Sequence, residues 1–184
     1  MDRDYSEFEG YYNEYKDSIY SYLYYRSGRN NALAEDLTSE IFMKALQKFD
    51  SYQPDKSFKS WIYAIAHNHL IDHYRKNRTT VDLTAVENII ESESDDVKSM
   101  LNRRIASEQM TELLQHVSDE EREILLMRFH QGLPTKEIAD IVDRDDGNVR
   151  VIIHRALAKL QKQYASTFAC IVISILVFSL HFSV

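Results

Sequence analysis

The chain has 184 residues, 44% apolar and 28% charged, with 4 glycines, 2 prolines and a single cysteine. So few breakers predict an all-α protein, and the lone Cys170 excludes an internal disulfide framework and a cysteine-based zinc site. A formal net charge of −7 speaks against a protein that grips duplex DNA unaided, because that affinity comes largely from cations neutralising phosphates.

The opening MDRDYSEFEG is charged, carries no secretory-signal pattern and predicts a cytoplasmic chain. Residues 5–26 place Phe8, Tyr11, Tyr12, Tyr15, Ile19, Tyr22 and Leu23 at helical spacing, which predicts an amphipathic helix with tyrosines half in its core. Gly28 to Asn31 is a turn. A second helix is expected from about Ala32 to Phe49, with Leu33, Leu37, Ile41, Ala45 and Phe49 as its apolar line. Glu35, Asp36, Ser39, Glu40 and Met43 lie on its other sides. Its acids come first and Lys44 and Lys48 follow. That order suits the helix dipole, and it equally suits a docking face for a basic partner.

Asp50 to Ser57 is a loop, and a third helix is expected over about Phe58 to Asn77. Phe58, Trp61, Ile62, Ile65, Ala66, Leu70 and Tyr74 form its inner stripe. Lys59, Tyr63, His67, Asn68, Asp72, Arg75 and Lys76 face out. Cations, an amide and an aromatic on one face fit a surface that follows single-stranded nucleic acid. They fit as well a solvated face with Asp72–Arg75 and Asp72–Lys76 pairs. His69 and His73 stand four apart, but without supporting ligands they predict no metal site.

Residues 79–100 lose the helical rhythm and carry Glu87, Glu91, Glu93, Asp95 and Asp96, which reads as a flexible acidic linker. A helix from about Met100 to Val117 opens a second domain. Ser118 and Glu121 make a capping box, so the next helix starts at Asp119, and Gly132 stops it. A short helix follows from about Lys136 to Val142, then the turn Asp143-Arg144-Asp145. The last helix starts near Asp146 with Val149, Ile153, Ala156, Leu157 and Leu160 on one stripe. Asn148, Arg150, Val151, His154, Arg155 and Lys159 occupy its other face. Two short helices, a tight turn and a cationic second helix make a helix-turn-helix; an ordinary three-helix bundle is the alternative. The tail after Tyr164 is apolar. From Thr167 it has 18 residues left, about 27 Å as a helix, which fits a membrane anchor or a β-prone end.

The segments AEDLTSEIFMKAL (34–46), FKSWIYAIAHNHLIDHYRKN (58–77) and SDEEREILLMRFHQGLPTKEIADIV with NVRVIIHRALAKL (118–160) resemble, in that order and spacing, a bacterial sigma factor of the extracytoplasmic-function (ECF) subgroup. The resemblance covers residues 5–163. It implies two small helical domains: residues 1–78 for polymerase docking and the −10 element, residues 79–100 as linker, and residues 101–163 for the −35 element, followed by the tail 164–184. It implies that Glu35, Asp36, Leu37, Glu40, Phe42 and Lys44 meet core RNA polymerase, at the clamp helices of its largest subunit, with the flap region of the second-largest subunit as a further contact. It implies that Lys59, Trp61, Tyr63, Asn68, Asp72, Arg75 and Lys76 meet the −10 element, and that Asn148, Arg150, Val151, His154, Arg155 and Lys159 meet the −35 element of promoter DNA. An anti-sigma protein is a further implied partner, and residues 167–184 a possible membrane contact. No catalytic residue and no cofactor are implied.

The chain departs from the family pattern at several positions. Ser39 stands where glutamine is usual and Pro134 where a capping serine is common, so Thr135 is expected to cap instead. Asp143 occupies a turn site that often holds glycine, and Val151 and Ile152 replace more polar residues. The rival reading is a stand-alone helix-turn-helix regulator, which requires a dimer and symmetrical half-sites.

Overall fold

The computed structural model describes residues 5–77, 110 and 112–163. The expected linker, most of the helix over 100–117 and the apolar tail lie outside the described residues. Among these, every regular element is helical, and none is long and apolar enough to cross a membrane. The chain divides into two compact units.

In the first unit, α1 (Tyr5–Arg26), α2 (Asn31–Lys48) and α3 (Phe58–Asn77) pack on one another. α1 ends because Gly28 takes a left-handed φ of 69°, which lets the Arg29 N–H reach back to the Tyr24 carbonyl at 2.8 Å. That 6→1 bond closes a Schellman turn. Asn30 caps α2 by accepting from the Leu33 N–H at 3.0 Å. Ile19, Tyr22 and Leu23 of α1 meet Ala34, Leu37, Ile41 and Ala45 of α2 and Ile62, Tyr63, Ala66 and Leu70 of α3 in one buried core. Each large side chain so buried is worth about 1.5–3 kcal/mol before chain entropy is counted.

Rings close one end of this core. Phe8 meets Phe49 edge-on at 5.1 Å, Tyr11 stacks on Phe58 at 3.9 Å, and Tyr52 lies 5.1 Å from Trp61. The single turn Phe49–Ser51 carries Phe49 and Tyr52 into that cluster. Three expectations change here. Tyr12 and Tyr74, placed on apolar stripes, stand 41% and 40% exposed. Tyr12 lays its edge on Phe42, and the Tyr74 hydroxyl donates to the Arg26 carbonyl at 2.9 Å. Ala34, absent from the expected line of α2, is fully buried.

In the second unit, residues 112–115 are helical and lead to α4 (Asp119–Leu125), to α5 (Thr135–Val142), which belongs to this unit through Ala139, and to α6 (Asp146–Gln163). The capping box is present as expected: the Glu121 N–H donates to Ser118 Oγ at 3.2 Å, and the Ser118 N–H donates to Glu121 Oε2 at 2.9 Å. Past Leu125 the helix widens into one π turn over Leu126–His130, with the Gln131 N–H on the Leu126 carbonyl. Gly132, at φ 70°, ends it. The Arg128 guanidinium then donates to the Leu133 carbonyl at 3.1 Å.

α5 begins at Thr135, so Thr135 is the first residue inside the helix and not its cap. The Pro134 carbonyl accepts the first turn's bond from the Ile138 N–H. Asp143 does adopt the left-handed turn, at φ 53°, and the Arg144 N–H closes on the Ala139 carbonyl at 2.9 Å. Val149, Ala156 and Leu160 are the buried positions of α6, with Ile153 and Leu157 half-buried between them.

Candidate partner and nucleic-acid interfaces

Three outward helix faces hold the expected site residues. On α2, Glu35 and Asp36 are exposed and Glu40 keeps 59% of its side chain in solvent. Leu37 and Phe42 are different. At 1% and 5% exposure they belong to the core, because α2 buries a wide arc against both α1 and α3. In this chain they offer a partner no side-chain surface; they shape the helix that carries the acids.

Lys44 and Glu40 are joined through α3. Lys44 Nζ lies 2.5 Å from His69 Nδ1, and His69 Nε2 lies 2.5 Å from Glu40 Oε2. An ammonium only donates, so Nδ1 accepts and the proton sits on Nε2, facing the carboxylate. His69 is therefore a strut between two groups one turn apart on α2. Among the described residues no group of three or more metal-binding side chains occurs.

On α3, Asn68, Arg75 and Lys76 are exposed, and Lys59, Trp61 and Asp72 are partly so. Arg75 pairs with Asp72 at 2.9 Å, one of the two pairs expected. The Asn68 amide donates to the Ala64 carbonyl at 2.8 Å. Tyr63 and His67 were expected to face out, and both are buried, Tyr63 completely. The Tyr63 ring meets Tyr22 edge-on at 5.4 Å, and burial holds its phenol well above the ordinary value. Ile71, unremarked in the sequence, is 45% exposed, and it shares a line with Asn68 and Arg75 at i, i+3, i+7.

On α6, all six expected residues are exposed: Asn148, Arg150, Val151, His154, Arg155 and Lys159. They differ in their ties. Arg150 is held by Asp146 one turn earlier at 2.6 Å, and the Asn148 amide donates to Asp145 at 3.3 Å. Arg155 makes no ion pair among the described residues. Lys159 points back to the fold, 2.5 Å from Glu121 Oε1. Burial alone raises the Glu121 carboxyl, but the hydrogen bond from Lys159, the Ser118 N–H and the lysine's charge outweigh it and hold the group below its ordinary value. Sequence spacing marked Glu121 as a cap and put Lys159 on the outer face of the last helix, and could not show that the two meet 38 residues apart.

Comparison with known proteins matches these units one by one. Residues 11–80 match the family model for Sigma-70 region 2 and residues 107–160 that for Sigma-70, region 4. The chain is 30% identical over 156 residues to the ECF RNA polymerase sigma factor BldN of Streptomyces coelicolor, covering 82% of this chain and 58% of that one. It is also 30% identical over 156 residues to the RNA polymerase sigma factor YlaC of Bacillus subtilis, covering 84% and 90%. Among solved structures, the fold resembles the sigma factor RpoE bound to the anti-sigma factor NepR from Bartonella quintana, with a TM-score of 0.70 at 20% identity over 88% of this chain and 98% of that one. It also resembles CnrH bound to the cytosolic domain of CnrY, with a TM-score of 0.63 at 19% identity over 90% and 92%. Two helical units of matching type, in matching order, on a chain that aligns with nearly the full length of a sigma factor, make this protein a member of the ECF group of RNA polymerase sigma factors, which join core RNA polymerase and direct promoter-specific transcription initiation.

Proposed function

We propose a division of this work among the three outward faces. The acids Glu35, Asp36 and Glu40 of α2 dock on the clamp helices of the polymerase largest subunit. Lys59, Trp61, Asn68, Asp72, Arg75 and Lys76 of α3 and the loop before it engage the −10 element. Asn148, Arg150, Val151, His154 and Arg155 of α6 engage the −35 element. The domain bounds that go with this division are 1–78 and 101–163, joined by 79–100. The observation that carries it is the separation of charge: α2 turns carboxylates outward, while α6 turns out an amide and cations at the positions a helix-turn-helix uses for base edges. The acidic balance of the chain fits, since the polymerase holds most of the DNA and the factor supplies the choice of sequence. Of the solved structures named above, the sigma factor RpoE is bound to the anti-sigma factor NepR and CnrH to the cytosolic domain of CnrY, and the first supports an anti-sigma protein as the inhibitor of this chain.

The test is in vitro transcription with core enzyme on a promoter library. Asp36→Lys is the clean docking variant, because Glu40 also holds His69. It is expected to lower polymerase affinity without changing the preferred promoter. Arg155→Ala is expected to cost about 1–3 kcal/mol at one −35 position. Unchanged initiation by both variants sinks the division. Tight binding of the isolated chain to a palindrome favours the stand-alone regulator instead.

A further inference from the structure

We propose that Val151 reads the 5-methyl group of a thymine in the −35 element; the proposal rests on α6 being the reader of that element. Val151 is 45% exposed. The other large apolar side chains exposed among the described residues, Tyr5, Tyr12, Met43, Ile71 and Tyr74, all belong to the first unit. Folding gains less from Val151 than from a core valine, because nearly half of it stays in water. A β-branched residue at such a helix position is also a poorer helix former than alanine, lysine or glutamate.

Its position gives it another use. Asn148, Val151 and Arg155 fall at i, i+3 and i+7 on α6 and form one outward line, all three exposed. That line runs for about 10 Å, which spans roughly three base-pair steps. Asparagine offers the donor and acceptor that match adenine N7 and N6, and arginine the fork that matches guanine O6 and N7. Valine offers neither donor nor acceptor. The one major-groove group that complements it is the thymine methyl. Its neighbour Arg150 does not compete for the same spot, since its guanidinium is drawn back toward Asp146. The line thus places an apolar contact between two hydrogen-bonding ones, and it discriminates thymine from cytosine by a methyl rather than by a hydrogen bond.

The experiment uses the full chain with core polymerase. A promoter is enriched from a library randomised across the −35 element. Each thymine in that element, on either strand, is then replaced singly by deoxyuridine, which removes one methyl and nothing else. At one position initiation is expected to fall about three- to fivefold, the worth of one buried methyl group. Val151→Ala folds at least as well and is expected to transcribe the thymine and deoxyuridine templates equally. At a cytosine placed in that position, 5-methylation is expected to raise initiation by the wild-type chain and not by Val151→Ala. No sensitive thymine overturns the proposal. So does a sensitivity that persists in Val151→Ala, because the methyl then acts through DNA shape. Failure to enrich any −35 sequence overturns the promoter-reading role of α6 itself, a result distinct from enrichment without methyl sensitivity.

Discussion

The two units close their cores by different means. The first is sealed with rings: Phe8, Tyr11, Phe49, Tyr52, Phe58 and Trp61 form one set of edge-on, tilted and stacked contacts. All but one of the chain's 12 tyrosines precede residue 78. Between 112 and 163 the only phenylalanine, tyrosine or tryptophan is Phe129, and the buried positions there are aliphatic, such as Ile124, Leu126, Met127, Ile138 and Val149. That unit adds polar straps in place of rings. Lys159 holds Glu121, Arg122 Nε donates to the Leu114 carbonyl at 3.0 Å, and Arg144 pairs with Glu120 at 2.9 Å. Ring area resists changes of pH; straps made of carboxylates do not. The first unit's stability is therefore expected to follow packing, and the second's to follow the charge on a few side chains.

The largest effect that sharpens this contrast is Phe49→Ala. It removes the ring shared by Phe8, Tyr11, Tyr52 and Trp61 and is expected to cost about 3–5 kcal/mol. Trp61, the chain's single tryptophan, sits 6.5 Å from that ring, so its fluorescence reports the loss in a urea titration. A cost under 1 kcal/mol breaks the claim that rings carry this unit.

Glu121→Ala comes next. It deletes half of the capping box and the ion pair with Lys159, at an expected cost of about 1–3 kcal/mol in the second unit. The pH dependence follows from the lowered folded value. A carboxyl whose pKa is depressed by folding contributes stability above its unfolded value, here 4.5, and that stability is lost as pH falls from there through the folded value. The protection factors of the Asp119–Leu125 amides, which are exchange rates taken relative to the intrinsic rate at each pH, are expected to fall over that range in the native chain and to lose this pH-dependent component in Glu121→Gln. Equal acid sensitivity in both chains removes Glu121 as the strap.

How much of this was legible in the sequence depended on range. The capping box, the Gly132 stop and the outward set on α6 are local, within a turn or two, and spacing was enough to find them; the left-handed turn at Asp143 came from the resemblance, which often puts glycine there. α2 and α3 were harder. Each is packed by two neighbours and buries more than a single stripe, so a simple inside–outside division put Tyr63 and His67 out and left Ala34 unassigned. Phe42 and Leu37 entered the site by resemblance, and their burial makes them the support behind it. The His69 strut joins residues 25 and 29 apart. A histidine beside an acid in space has no sequence period, and the only pattern the sequence offers for His69 is its spacing of four from His73. The π turn at Leu126 was likewise hidden, because the helical period continues through it.

Tyr63 offers the smallest effect and the sharpest test of the inside–outside boundary. Its side chain is fully buried, and its hydroxyl has no hydrogen-bond partner among the described residues. A buried hydroxyl without a partner loses its hydration and regains nothing, whereas the ring keeps its contact with Tyr22 in a phenylalanine of the same shape. Tyr63→Phe is therefore expected to stabilise the first unit by about 1 kcal/mol, read from the Trp61 urea midpoint, and to leave promoter preference unchanged. Destabilisation of similar size means that the hydroxyl is bonded after all. A changed −10 preference with unchanged stability means that Tyr63 leaves the core when the promoter is bound, and the face expected for it from the sequence is then the one it uses.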